Sequence, residues 1–134
     1  MFSESISTLP AFLSYFAVAI TIMAAFLFVY VNFTPYREIA LIRDGNAAAA
    51  ISLSGTLLGF ALPVANVIEN SHNLLDLALW SMIACAVQLA TYLVARMTLP
   101  QLAADIPAGK TAPAIFLAAM SIAVGLVNAA CMEY

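Results

Sequence analysis

Charged residues fall in a few short clusters along the chain, and the stretches between them are almost wholly apolar. No Asp, Glu, Lys or Arg lies between Glu4 and Arg37, Asp44 and Glu69, Asp76 and Arg96, or Lys110 and Glu133. Each gap accommodates the roughly 20 residues that a helix needs to cross about 30 Å of hydrocarbon. In lipid the backbone must satisfy its own hydrogen bonds, and long unbroken apolar segments do so as helices rather than barrel strands. The pattern predicts an all-α membrane protein with helices near Pro10–Asn32, Asn46–Ile68, Leu77–Met97 and Thr111–Met132.

Composition agrees: 65% of residues are hydrophobic and 8% charged, against about 45–50% and about 25% in soluble domains. A single integral membrane domain spanning residues 1–134 is expected. The first helix is expected to stay in the membrane, because Met1–Ser5 lacks a basic leader region and the apolar stretch behind it is long. Four Lys and Arg residues exclude a nucleic-acid surface.

Those four residues predict the orientation. Arg37 and Arg43 lie between the first and second helices, and Arg96 and Lys110 flank the connection between the third and fourth. The positive-inside rule then puts both basic loops in the cytoplasm and both termini outside. Glu4, Glu69, His72, Asp76 and Glu133 fall on the outer side, and Trp80 belongs at the outer interface.

Offsetting the sequence by 64 residues reveals an internal repeat. Thr34 meets Thr98, Gly45 meets Gly109, and ten positions match between Thr34 and Asn66. Residues 1–69 and 70–134 thus read as two hairpins that both start outside, a parallel repeat. In the first loop Thr34 reads as an N-cap with Pro35 at the first helical position. A short interfacial helix follows, with Arg37, Glu38, Arg43 and Asp44 as its polar residues. Asn46 and Thr111 stand where the second and fourth membrane helices need N-caps.

The second helix carries Ser52, Gly55, Thr56, Gly59, Pro63 and Asn66 on one face, and the fourth carries Ala114, Ala118, Ser121, Gly125, Asn128 and Ala129. Small residues let backbones approach closely in lipid, so these stripes predict a packing seam of Ser52, Gly55, Thr56, Gly59, Ser121, Gly125 and Ala129. Equally, the Gly55–Gly59 pair could meet a second copy. The first and third helices, bulkier, are expected to face lipid more. Gln88, an amide in the middle of the third helix, should point inward. With Asn66, Asn128 and Glu69 it outlines a candidate polar path. Cys85 and Cys131 sit at different depths, too far apart for a disulfide, and His72 has no ligand-spaced companion. No pattern points to a catalytic residue, a cofactor or a metal site.

At Arg43-Asp44-Gly45-Asn46-Ala47-Ala48-Ala49-Ala50, through Ser54-Gly55-Thr56-Leu57-Leu58-Gly59, and again at Asn128-Ala129-Ala130-Cys131-Met132, the chain resembles the YjfL-like bacterial inner-membrane family. That family carries the domain of unknown function 350. The resemblance implies a multi-pass bacterial plasma-membrane protein and brings no activity or catalytic residues with it. It also hints at partners among membrane-stress proteins and enzymes resembling glutathionylspermidine synthase. The leading expectation is a non-enzymatic membrane component that forms a homo-oligomer or binds another envelope protein. The alternative is a small-solute or ion pathway through the polar residues. An enzyme subunit handling a lipid or quinone around Gln88 and Cys85 is the third.

Overall fold

Four long apolar helices make up most of the chain in a computed structural model that describes residues 6–70 and 73–132. Glu4, His72 and Glu133 lie outside the described residues. The long helices are α1 (Leu9–Phe33), α3 (Ala47–Asn70), α4 (Leu74–Thr98) and α6 (Thr111–Cys131). Two short helices, α2 (Glu38–Arg43) and α5 (Leu102–Asp105), occupy the connections. Each long helix has 21 to 25 residues, so each is 30 Å or more in length at about 1.5 Å per residue.

The most extensive interface joins α3 to α6. Gly55, Gly59 and Gly125 permit it. A Cβ at Gly55 would strike the Ala118 backbone, and one at Gly125 would strike the Gly59 carbonyl. Hydrocarbon supplies no hydrophobic drive between helices, so close backbone packing carries the association. With eleven buried residues α3 is the central helix; α4 buries seven, α6 five and α1 only Phe26 and Tyr30. The expected lipid exposure therefore describes α1 but not α4. Ser81, Gln88, Thr91 and Tyr92 turn inward from α4, away from a hydrocarbon that excludes them.

The connections also differ from the pattern expected. Thr34 closes α1 instead of opening a helix: its N–H donates to the Tyr30 carbonyl, and its ψ of 148° is extended. Pro35 disfavours helical geometry at the residue before it. The chain bends through residues 34–36, is extended at Arg37, and enters α2 at Glu38. In the second loop Thr111 is the first helical residue and Lys110 the cap position, without a side-chain bond.

The two connections end alike. Gly45 N–H donates to Ile42 O and Asn46 N–H to Leu41 O; Gly109 N–H donates to Ile106 O and Lys110 N–H to Asp105 O. Each glycine sits at a left-handed φ, 87° and 82°, where a Cβ would be strained. Asn46 ties the loops together. Its Oδ1 accepts the Ala49 N–H at 2.9 Å as an N-cap, while its Nδ2 donates to Ile106 O at 3.0 Å and Pro107 O at 3.1 Å. Arg37, Arg43, Arg96 and Lys110 accompany these joined connections, which form the basic end of the bundle.

Candidate functional site

Polar side chains inside the bundle form a file that begins at the basic end with Glu38. The segment between α1 and α2 brings an acid inside there. Burial alternates along it: Thr34, Tyr36 and Glu38 are buried while Pro35 and Arg37 are exposed. Glu38 is 1% exposed. Thr34 Oγ1 donates to its Oε1 at 2.5 Å. Its Oε2 is buried with no partner among the described residues, and the buried Tyr36 hydroxyl has the Tyr92 hydroxyl as its hydrogen-bonding neighbour. Tyr30, Tyr36 and Tyr92 lie within electrostatic reach of the carboxyl, and the rings of Tyr30 and Tyr36 meet Tyr92 edge-on at 6.0 and 6.5 Å. The one ion pair among the described residues, Lys110–Asp105 at 3.4 Å, does not involve Glu38. Burial pushes its carboxyl up to about 7 from an ordinary 4.5, against the Thr34 bond, which favours the charged form. The Tyr36 phenol is also raised, first by burial and then by its neighbours Tyr92, Tyr30 and Glu38.

From the tyrosines the file continues into the membrane-spanning part. Thr56 Oγ1 lies 3.3 Å from the Tyr30 hydroxyl, 3.1 Å from the Ser52 carbonyl and 3.3 Å from Ser121 Oγ. A hydroxyl has one proton and two lone pairs, so Thr56 donates to one of these and accepts from another. Ser52 is buried beside it, its own hydroxyl donating to Ala49 O at 3.1 Å.

Gln88 sits where α3, α4 and α6 meet. It is 1% exposed, its Nε2 donates to Ser121 O at 3.1 Å, and its Oε1 has no partner among the described residues. Pro63 adds a further acceptor at this level: having no N–H, it cannot donate to the Gly59 carbonyl four residues back. That carbonyl faces Gly125. Ser81, Gln88 and Tyr92 lie on one face of α4, spanning roughly 16 Å of its length at about 1.5 Å per residue; Ser81 Oγ and Gln88 Oε1 are buried without a partner among the described residues.

At the other end Asn66 Nδ2 donates to Ala129 O at 2.5 Å, and Asn70 Nδ2 donates to Asn66 Oδ1 at 2.6 Å. Asn128 is half-buried, and its Nδ2 lacks a partner among the described residues. Glu69 is exposed and lies off the file. The structure thus brings Ser52, Thr56, Gly59, Gln88, Ser121 and Gly125 into one region, and joins Asn66 to Ala129 further along. Glu38, Thr34 and the three tyrosines escaped the reading of the sequence. The Thr34-Pro35 step was the available signal, since it replaces helical spacing with alternation.

Beside the file, an open apolar groove of about 420 Å³ runs between α1 and α4, walled by Phe26, Phe60, Met82 and Leu89. Cys85 and the buried Ser81 also border it. Both cysteines are free, and no cluster of three metal-ligating side chains occurs among the described residues.

Comparison with known proteins follows the same line along nearly the whole chain. The family described as Domain of Unknown Function (DUF350) matches residues 4–132. The UPF0719 inner membrane protein YjfL of Escherichia coli K12 is 35% identical over 129 residues, covering 96% of this chain and 98% of that protein. The UPF0719 transmembrane protein YshE of Bacillus subtilis is 26% identical over 113 residues, covering 84% of each. No solved structure matches.

Proposed function

The chain belongs to the DUF350 family of bacterial multi-pass inner-membrane proteins, and from that footing we propose that its bundle carries protons along the buried polar file. The supporting observation is the set of buried polar atoms left without partners: Glu38 Oε2, Ser81 Oγ, Gln88 Oε1 and Asn128 Nδ2 among the described residues. Buried polar atoms in hydrocarbon are costly unless they are bonded, and polar residues inside membrane spans mark solute and proton pathways. Short water chains between these groups satisfy them and link hydroxyl to hydroxyl. A proton needs no wide pore, so four helices suffice where a larger solute would require more.

The four basic residues support an orientation with Glu38 at the cytoplasmic side and both chain termini in the periplasm. The matching turns at Gly45 and Gly109 support the two-hairpin, parallel-repeat arrangement. This reading is non-enzymatic, since a relay exchanges protons and needs no nucleophile. Assembly with itself or with another envelope protein would have to use a surface other than the Gly55–Gly59 face, which is packed within the chain. The outward apolar side chains of α1, Phe12, Phe16 and Phe28, are the surface such a contact would use.

Purified protein in liposomes carrying a trapped pH dye tests the proposal. Under an imposed potential, proton flux should exceed that of protein-free liposomes, and Gln88→Leu should reduce it about tenfold or more by interrupting a file that relies on general proton exchange. Flux equal to that of empty liposomes overturns the proposal.

A further inference from the structure

We infer that Glu38 is a proton-binding site: a buried carboxyl that takes up a proton from the basic end of the bundle, holds it as the neutral acid and releases it again. Its feeding of the file rests on the pathway proposed above; its binding of a proton does not.

Three geometric observations carry the inference. First, the carboxyl is buried between exposed neighbours, Arg37 and Ile39, at the end of an alternation of burial that starts at Thr34. Second, its surroundings suit a neutral acid. Oε1 takes one neutral hydrogen bond from Thr34, and Oε2 lacks any partner among the described residues. A buried carboxylate needs several donors or a cation, whereas a protonated carboxyl needs only to give one hydrogen bond and accept another. Third, Glu38 borders an open depression of about 460 Å³ shared with the exposed Asn32, Arg37, Arg43 and Asp44, which gives a proton a short way in from that surface.

Each element packed around Glu38 contributes identifiable groups. From α1 comes Tyr30, from the segment between α1 and α2 Tyr36, and from α4 Tyr92, with Arg96 in electrostatic reach of the Tyr92 hydroxyl. Arg37, Arg43 and Asp44 flank Glu38 on its own segment and are exposed. Helix α3, which packs on α2, brings no charged group, since its only acid is Glu69, at the far end of that helix. The facing groups are therefore phenols, which stay neutral through the physiological range. No fixed cation holds Glu38 ionised. The remaining balance is between burial, which favours the acid, and the Thr34 hydrogen bond, which favours the carboxylate; it places the exchange near neutrality.

Dicyclohexylcarbodiimide provides the test. This apolar reagent adds across protonated carboxyls in lipid-like surroundings, with no leaving group, and the adduct is read by mass spectrometry of the intact chain and its peptides. Protein in liposomes would be treated between about pH 5 and about pH 9, a range that brackets an acid titrating near neutrality. The expected result is one adduct at Glu38, falling about tenfold or more across that range, with none there in Glu38→Gln. In Thr34→Val, labelling at about pH 8, where little of the native acid is protonated, should rise about fivefold, because the bond favouring the carboxylate is gone. An unlabelled Glu38, labelling that does not change with pH, or no change in Thr34→Val overturns the inference. Labelling as expected in liposomes that conduct no protons would leave the site standing and remove the pathway. Proton flux with pH-independent labelling would do the reverse.

Discussion

Replacing Gly59 by Ala adds one methyl group at the closest point of the bundle. Its Cβ would lie 2.7 Å from the Ser121 carbonyl carbon and 2.9 Å from Gln88 Nε2, and closer still to the Ser121 oxygen. Backbone on one side and a hydrogen-bonded amide on the other leave no flexible chain end to give way, so α3 and α6 must move apart. Overpacking of this kind costs about 1–3 kcal/mol. A weakened Gln88–Ser121 bond adds about 0.6 kcal/mol, the typical worth of an interhelical hydrogen bond in membranes. Against this, alanine is about 1 kcal/mol better than glycine in a helix interior. The net expectation is a loss of about 0.5–2.5 kcal/mol. Reversible unfolding in mixed detergent micelles measures it, with Leu58→Ala as a control, since Leu58 is 57% exposed to the surroundings. Light scattering on the same samples should show an unchanged particle size, because the glycines meet residues of their own chain. Equal or greater stability in Gly59→Ala would refute the packing argument. Unchanged stability with a changed particle size would instead put the glycine face between chains.

Two further expectations concern the basic end. Glu38 titrates at about 7 when folded and at about 4.5 when unfolded. The folded state therefore binds the proton more tightly, and the associated stability is full below about 4.5 and lost as pH rises through about 7. Its size is on the order of 3 kcal/mol; thermal unfolding across this range should fall toward alkaline pH in the native chain and stay flat in Glu38→Gln. Asn46→Ala removes an N-cap and both bonds to the second loop. It should cost about 1–3 kcal/mol, and amide exchange should rise in α5 as well as at the start of α3. Exchange confined to α3 would contradict the tie between the loops.

Much of this architecture is legible in the sequence because lipid leaves few solutions. The charge-free blocks mark the four long helices to within a few residues, the start of α4 being earlier by three. Glycines and small polar residues at spacings of three and four mark the faces of α3 and α6, and an amide such as Gln88 has nowhere to go but inward. Legibility fails where local geometry changes period. Treating Thr34–Asp44 as helical puts Glu38 on a solvated face with Arg37; the alternation of burial from Thr34 to Glu38 reverses it. The bulk of α4 likewise suggested a lipid-facing helix, though Ser81, Thr91 and Tyr92 face the interior with Gln88. Asn46 advertises its cap through its position before α3, yet its bonds to Ile106 and Pro107 join residues about 60 positions apart. No local pattern encodes them.

Proton passage along the file requires a wet interior between Glu38 and Asn128. Water-edited solid-state NMR in bilayers measures this directly, by passing magnetisation from water protons to nearby side chains. Gln88, Thr56 and Ser121 should receive it nearly as fast as the exposed loop residues, while lipid-facing Leu58 and Met82 lag behind. Transfer to Gln88 and Ser121 as slow as to Leu58 would mean a dry interior, and would contradict the account.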